Sequence, residues 1–134
     1  MMRLNVYLNF LGQCEEALGV YQAALGGEIS AMVKVAGTPA EPHYPADMKN
    51  NVLHGCLTLD NMDIMASDCP PSMYVKPANT AICINLDDEN KAERLFKELS
   101  KDGAVLMPFE QTFFAKKYGM FTDRFGVSWM VHCS

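Results

Sequence analysis

The chain has 134 residues and a formal net charge of −5 at pH 7, with 49% of its residues hydrophobic and 20% charged. This is enough apolar surface to form a core in one domain's length of sequence, which excludes a mainly disordered chain. Lys116-Lys117 is the one adjacent basic pair, which argues against a nucleic-acid-binding surface, and no apolar run reaches the roughly 18 residues of a membrane span.

Residues 1–6 lack the long apolar core of an export signal. The five cysteines are odd in number and show no C-x-x-C spacing, so the expectation is a cytoplasmic protein with reduced thiols. Residues 5–10 alternate as a strand, with Val6, Leu8 and Phe10 on one face and Asn5, Tyr7 and Asn9 on the other. A helix is predicted over 13–25, because Cys14, Ala17, Leu18, Tyr21 and Leu25 recur at helical spacing; Gly26-Gly27 ends it. Residues 28–35 form a second strand. Pro39, Pro42 and Pro45 make 37–51 a loop, either a cover for a pocket or a plain surface excursion. Residues 52–59 and 62–67 read as a hairpin turning at Asp60-Asn61.

Residues 69–78 form the linker between a first module, about 3–68, and a second, about 79–133. The pattern then restarts. A strand over 80–86 places Ile82, Ile84 and Leu86 opposite Ala81, Cys83 and Asn85. Asp87 or Asp88 caps a helix that runs to about Lys101, with Ala92, Leu95, Phe96 and Leu99 as its core stripe. Three strands follow, over 105–111, 117–122 and 127–133, with Asp123-Arg124-Phe125-Gly126 as the last turn. Strand–helix–three strands therefore occurs twice, within a single α+β domain.

Each helix needs an apolar sheet face to cover. By the same parity the opposite faces carry Asn5, Tyr7, Asn9, His54, Cys56, Thr58, Ala81, Cys83 and Asn85, and Ser128, Met130 and His132 from the last strand. Such a face either meets water or curves around a ligand cavity. Several chemistries can be weighed on it. Cys56 and His54 stand two apart, as an imidazole-activated thiolate would require, or as a small buried Cys beside a hydrogen-bonded His. Glu110, near Phe113-Phe114, reads as a general base or as a solvated strand-end charge. His54 and His132 with Cys56 or Cys83 have the ligand types of a zinc site, but the spacing matches no metal motif. His43 lies in the Pro-rich loop. Met65, Met120 and Met130 suit an adaptable apolar pocket or plain core packing.

Several stretches together carry a family resemblance. They are Tyr7-Leu8-Asn9-Phe10 before Cys14-Glu15-Glu16-Ala17 and Tyr21; Ile64-Met65-Ala66-Ser67-Asp68 beside His54; Gln111-Thr112-Phe113-Phe114; and Tyr118-Gly119 before Thr122-Asp123-Arg124-Phe125-Gly126-Val127-Ser128-Trp129-Met130. The chain resembles the vicinal oxygen chelate (glyoxalase, bleomycin-resistance, dihydroxybiphenyl dioxygenase) superfamily, and most closely its PhnB-like subgroup. The resemblance implies two βαβββ modules forming curved mixed sheets with helices on the outer face, and clefts completed in a homodimer. It does not imply one reaction. Metal-dependent relatives place His or Glu at four inward strand positions, which fall here on Asn5, on or next to Met65, on Ala81 and on Met130. These are poor ligands for a hard divalent cation; a shift of one residue puts the positions on Val6 or Leu4, Ala66 or Ile64, Ile82 or Thr80, and Trp129 or Val131, which is no better. The PhnB-like group has carried a demethylubiquinone methyltransferase label, but no Gly-rich loop follows a strand to hold S-adenosylmethionine.

The resulting expectation is a metal-free small-molecule binding protein without a cofactor, its cleft completed in a homodimer. The site expected is Tyr7, Asn9, His54, Cys56, Cys83, Met130 and His132. The alternative is a metal-dependent glyoxalase- or dioxygenase-type enzyme with non-standard ligands. A third class, a protein-interaction module, would show no pocket for a ligand.

Overall fold

The computed structural model describes residues 1–134. Strand β1 (Val6–Phe10) leads into helix α1 (Cys14–Leu25), followed by strands β2 (Glu28–Lys34), β3 (Val52–Thr58) and β4 (Asp63–Asp68). The order then repeats with β5 (Ile82–Leu86), α2 (Glu89–Ser100), β6 (Ala104–Glu110), β7 (Lys117–Thr122) and β8 (Ser128–Cys133). Short 3-10 turns at Glu41–His43, Ala46–Met48 and Pro71–Met73 break up the two Pro-rich stretches. The chain divides into two compact units, Met1–Val75 and Lys76–Ser134. No helix is long and apolar enough to cross a membrane.

Each unit is one four-stranded mixed sheet with one helix, so the class is α+β. The strand orders are β1-β4-β3-β2 and β5-β8-β7-β6. In both, the strand before the helix pairs in parallel with the last strand, and the other neighbours are antiparallel. The parallel pairs start at Val6–Ile64 and at Ile82–Trp129. Low residue identity between the halves therefore conceals a position-by-position repeat: Tyr7 matches Cys83, Asn9 matches Asn85, Met65 matches Met130, and Ser67 matches His132.

The helices form where the stripes predict. α1 buries Cys14, Ala17, Leu18, Tyr21 and Ala24. Leu25, expected in the stripe, is only half-buried, because the helix ends there and Gly26 takes a positive φ of 81° as its C-cap. Gln13 supplies no side-chain cap. Instead the buried carboxylate of Asp68, at the end of β4, accepts from the amides of Cys14 at 3.0 Å and Val52 at 2.9 Å. One side chain thus ties the start of α1 and the start of β3 to β4. α2 is capped by Asp88, whose Oδ1 accepts from the Lys91 amide at 3.1 Å. It buries Ala92, Leu95, Phe96 and Leu99.

The first core gathers Phe10, Leu18, Tyr21, Leu57 and Ile64; the second gathers Leu95, Phe96, Phe121, Trp129 and Val131. β6 is an edge strand whose ladder with β7 slips between Val105 and Met107 and again before Glu110. Pro108 lies in that second irregular stretch, where a missing N–H costs least.

Candidate functional site

In the first unit, α1 packs on one face of the sheet, and strand alternation turns Tyr7, Asn9, His54, Cys56, Met65 and Ser67 to the other. Tyr7, Met65, Cys56 and Ala31 form a row across the four strands. The Ser67 hydroxyl donates to Asn9 Oδ1 at 3.2 Å. The His54 ring stacks on Tyr7, centroids 6.3 Å apart at 26°. Cys56 is 7% exposed, with Sγ 3.9 Å from Thr58 Oγ1. Imidazole and thiol thus engage different partners, and the activated pair considered from the sequence is not formed.

The second unit repeats this arrangement with different chemistry. One row on its open face reads Cys83, Met130, Met120, Met107 across β5, β8, β7 and β6. The next reads Asn85, His132, Tyr118, Glu110. The thioether row offers a soft, polarizable surface. The other carries an aromatic group at its centre, with Phe114 5.1 Å from Tyr118 and 6.1 Å from His132. Thus Tyr7, Asn9, His54 and Cys56 share the open face of the first sheet, and Cys83, Met130 and His132 that of the second. His43 sits apart, exposed in the turn Glu41–His43. Tyr118 and Phe114, named from the sequence only in the family stretches and beside Glu110, are not among the seven residues expected at the site. Continuing the alternation of β8 across the ladder into β7 would have found Tyr118.

All five cysteines are free, and their environments separate them. Burial, with the negative charges of Asp68 and Glu15 adding to it, pushes the Cys14 thiol up to about 12. Partial burial of the sulfur also raises the Cys83 thiol, opposed by a hydrogen bond from the Asn85 amide, but the residue itself is exposed. Titration of the native protein with an aromatic disulfide reagent at pH 8 is expected to modify Cys83 promptly and to spare Cys14 until the protein unfolds. Peptide mapping of the labelled protein checks this. Because the folded state holds the Cys14 proton more tightly than the ordinary thiol value of 9.0, that contribution to stability is full below about pH 9 and is lost between there and about pH 12.

The four positions that the family resemblance would assign to metal ligands fall on matching places in the repeat. Asn5 and Ala81 immediately precede β1 and β5, and Met65 and Met130 lie in β4 and β8. Asn5 Oδ1 already accepts from the Asp63 amide at 3.1 Å. Ala81 has no donor, and two thioethers suit a soft ion rather than a hard divalent one. This donor set does not fit the metal of the fold family. No three His, Cys, Asp or Glu side chains come together as a ligand group. Neither strand-to-helix turn is glycine-rich: Leu11-Gly12-Gln13 precedes α1 and Asp87-Asp88 precedes α2.

Comparison with known proteins agrees with this architecture. The family model described as 3-demethylubiquinone-9 3-methyltransferase matches residues 3–132. Protein YjdN of Escherichia coli K12 is 31% identical, over 98% of this chain and 95% of its own. The crystal structure of protein PA1353 from Pseudomonas aeruginosa is 41% identical with a TM-score of 0.91, covering 100% of this chain and 98% of that one. The PhnB protein from Bacillus cereus is 26% identical with a TM-score of 0.81, covering 99% and 100%. At 11% and 10% identity, a glyoxalase family protein from Bacillus cereus and the fosfomycin resistance protein FosX from Mesorhizobium loti share the fold, with TM-scores of 0.67 and 0.59. The two βαβββ units are therefore of the glyoxalase type.

Proposed function

Because the chain belongs to the PhnB-like family, the one described as 3-demethylubiquinone-9 3-methyltransferase, we propose that it is a small-molecule binding protein that works without a metal or cofactor. The observation that carries this reading is the side-chain chemistry of the strands. Asn5, Met65, Ala81 and Met130 replace the ligands that a hard cation needs, while the open sheet faces keep aromatic and sulfur-bearing side chains, which bind organic molecules through area and polarizability. On the first sheet the proposed contact residues are Tyr7, Asn9, His54 and Cys56; on the second, taken by itself, they are Cys83, Met130 and His132. The family's methyltransferase description implies S-adenosylmethionine. The two strand-to-helix turns lack the glycine-rich cradle that would suit that cofactor.

The protein acts as a homodimer in the cytoplasm in this reading. Each sheet has two edge strands, β1 and β2 or β5 and β6, and β6 exposes Val105, Leu106 and Met107. Open edges and apolar surface of this kind are what a second copy covers. Free thiols suit a reducing compartment.

One preparation tests the proposal. Protein purified without chelator is expected to carry substoichiometric divalent metal by mass spectrometry, and to show no rise in melting temperature with zinc, nickel, manganese or iron(II). It should sediment as a dimer at micromolar concentration and bind a neutral apolar dye such as Nile red saturably. Stoichiometric metal, or metal-dependent stabilisation, would replace this reading with that of an enzyme using non-standard ligands.

A further inference from the structure

We propose that Cys83, Met130 and Met120 form a binding site for a soft monovalent metal ion, copper(I) or its analogue silver(I), on the open face of the second sheet. This goes beyond the reading above: the ion is a bound ligand rather than a cofactor for a reaction, and it differs in kind from the hard divalent ion of the fold family.

Strand pairing builds the site. Cys83 in β5 is the ladder partner of Met130 in β8, and Met130 is the ladder partner of Met120 in β7. Ladder partners share a face with Cβ atoms about 4.5–5.5 Å apart, which brings neighbouring sulfurs within reach of a common ion. Methionine has three rotatable side-chain bonds, so Met120 can lean across Met130 toward the short Cys83 side chain. Met107 continues the row on β6, but three strand spacings separate it from Cys83, about 14 Å in all, and it is out of reach of the same ion. The row faces away from the core. Trp129 and Val131, on either side of Met130 in β8, are buried, whereas Met120 and Met130 are only half-buried and Cys83 is exposed. An ion therefore meets these sulfurs without any unfolding.

Donor chemistry selects the ion. A thiolate and two thioethers are soft donors, which favour copper(I) over magnesium, calcium or manganese. Charge then selects a monovalent ion. Cys83 is the one ionisable member of the row; the ion displaces its thiol proton to solvent, the two charges cancel, and the thioethers add none. Asn85 supports the ligand, its Nδ2 donating to Cys83 Sγ at 3.7 Å. A bond of this kind orients a metal ligand and stabilises its charge.

The first sheet provides the contrast. There Cys56 is the ladder partner of Met65, but Cys56 is 7% exposed, its Sγ lies 3.9 Å from Thr58 Oγ1, and the rest of the row is Tyr7 and Ala31. Two sulfurs, one of them closed off, do not make a three-donor set.

The test uses the full-length protein with its methionine methyl groups labelled with carbon-13, and silver(I) nitrate as a probe that needs no reductant. One equivalent of silver(I) is expected to shift the methyl signals of Met120 and Met130 in the NMR spectrum and to leave that of Met107 in place. Cys83→Ser should abolish both shifts, and Cys69→Ser, at the half-buried thiol of the linker, should preserve them. Copper(I), partitioned anaerobically against bicinchoninate, should bind at least about tenfold more weakly in Met130→Leu and in Met120→Leu, and equally well in Met107→Leu. Leucine keeps the volume and apolar character of methionine, so these variants remain folded. Methyl signals that do not move, or an unchanged copper(I) affinity in either Met130→Leu or Met120→Leu, would reduce the site to a lone thiol and overturn the inference. Nile red binding without the silver(I) shifts would remove this inference and leave the small-molecule binder standing; the shifts without Nile red binding would do the reverse.

Discussion

Replacing Asp123 with alanine is expected to lower stability by about 4 kcal/mol, the sum of several charge-assisted hydrogen bonds to groups that cannot reach water. The carboxylate is 5% exposed. Its Oδ1 accepts from the amides of Phe125 and Val127, both at 2.9 Å, and its Oδ2 accepts from the Trp129 indole Nε1 at 2.9 Å. The backbone adds to the same turn, with the Asp123 amide donating to Val127 O at 2.8 Å and Gly126, at φ 91°, donating to Asp123 O at 3.0 Å. This accounts for the Asp-x-Phe-Gly-Val-x-Trp stretch. The aspartate organises a tight turn and orients the tryptophan at the centre of the second core. Such a loss is a large part of the roughly 5–15 kcal/mol that holds a domain folded, so thermal denaturation should show a fall in Tm of roughly 10–20 °C. Asp123→Asn is the informative control. Its carbonyl still accepts from the two amides, but its NH2 then faces the indole N–H, two donors together. We expect about half the loss, and a full loss or none at all would show that the hydrogen bonds are not the source.

The second large effect is expected at Gly119, in the middle of β7. A Cβ there would lie 2.6 Å from the Phe96 ring, 2.9 Å from the Phe109 Cα and 3.0 Å from the Met107 carbonyl oxygen. Phe96 is already held, edge-on at 5.0 Å by Phe121 and stacked at 5.2 Å on Phe109. The other two contacts are backbone of β6, so relief requires the strand itself to move. Gly119→Val is expected to cost about 3 kcal/mol and to loosen β6 from β7. Chemical denaturation measures the first, and faster amide exchange along β6 the second. A variant as stable as the parent would mean that the edge strand yields without resistance.

Much of this architecture was legible because the physics that writes it is periodic. Val6-Leu8-Phe10 and Ile82-Ile84-Leu86 alternate, and the α2 stripe of Ala92, Leu95, Phe96 and Leu99 falls at helical spacing, so element type and facing residues followed. The seven residues expected on the open faces follow from the same parity. Other features have no periodic signature. Nothing periodic marks Asp68 and Asp123 as buried acceptors, and only the fold brings four amides and an indole to them. The choice between Asp87 and Asp88 as cap depends on backbone angles, and the structure assigns it to Asp88. Tyr118 is named from the sequence only for the family resemblance and not assigned to a face, because Gly119 beside it has no side chain and the alternation of 117–122 lacks a clear phase. Phe114 lies outside any strand, and a loop side chain's direction is not set by alternation.

The pairing of β1 with β4 has a bearing on how the protein is made. Asn9 meets Ser67 across 58 residues of sequence, whereas β2, β3 and β4 meet as successive neighbours in the chain. Of the four strands of this unit, the first to leave the ribosome is thus the one whose sheet partner arrives last. Loop closure must be paid before that parallel contact returns anything, so the meander is set to assemble first and β1 to join a template already built. Until then Val6, Leu8 and Phe10 have no sheet beneath them, and a nascent chain halted before residue 64 presents them to whatever binds unfolded apolar segments.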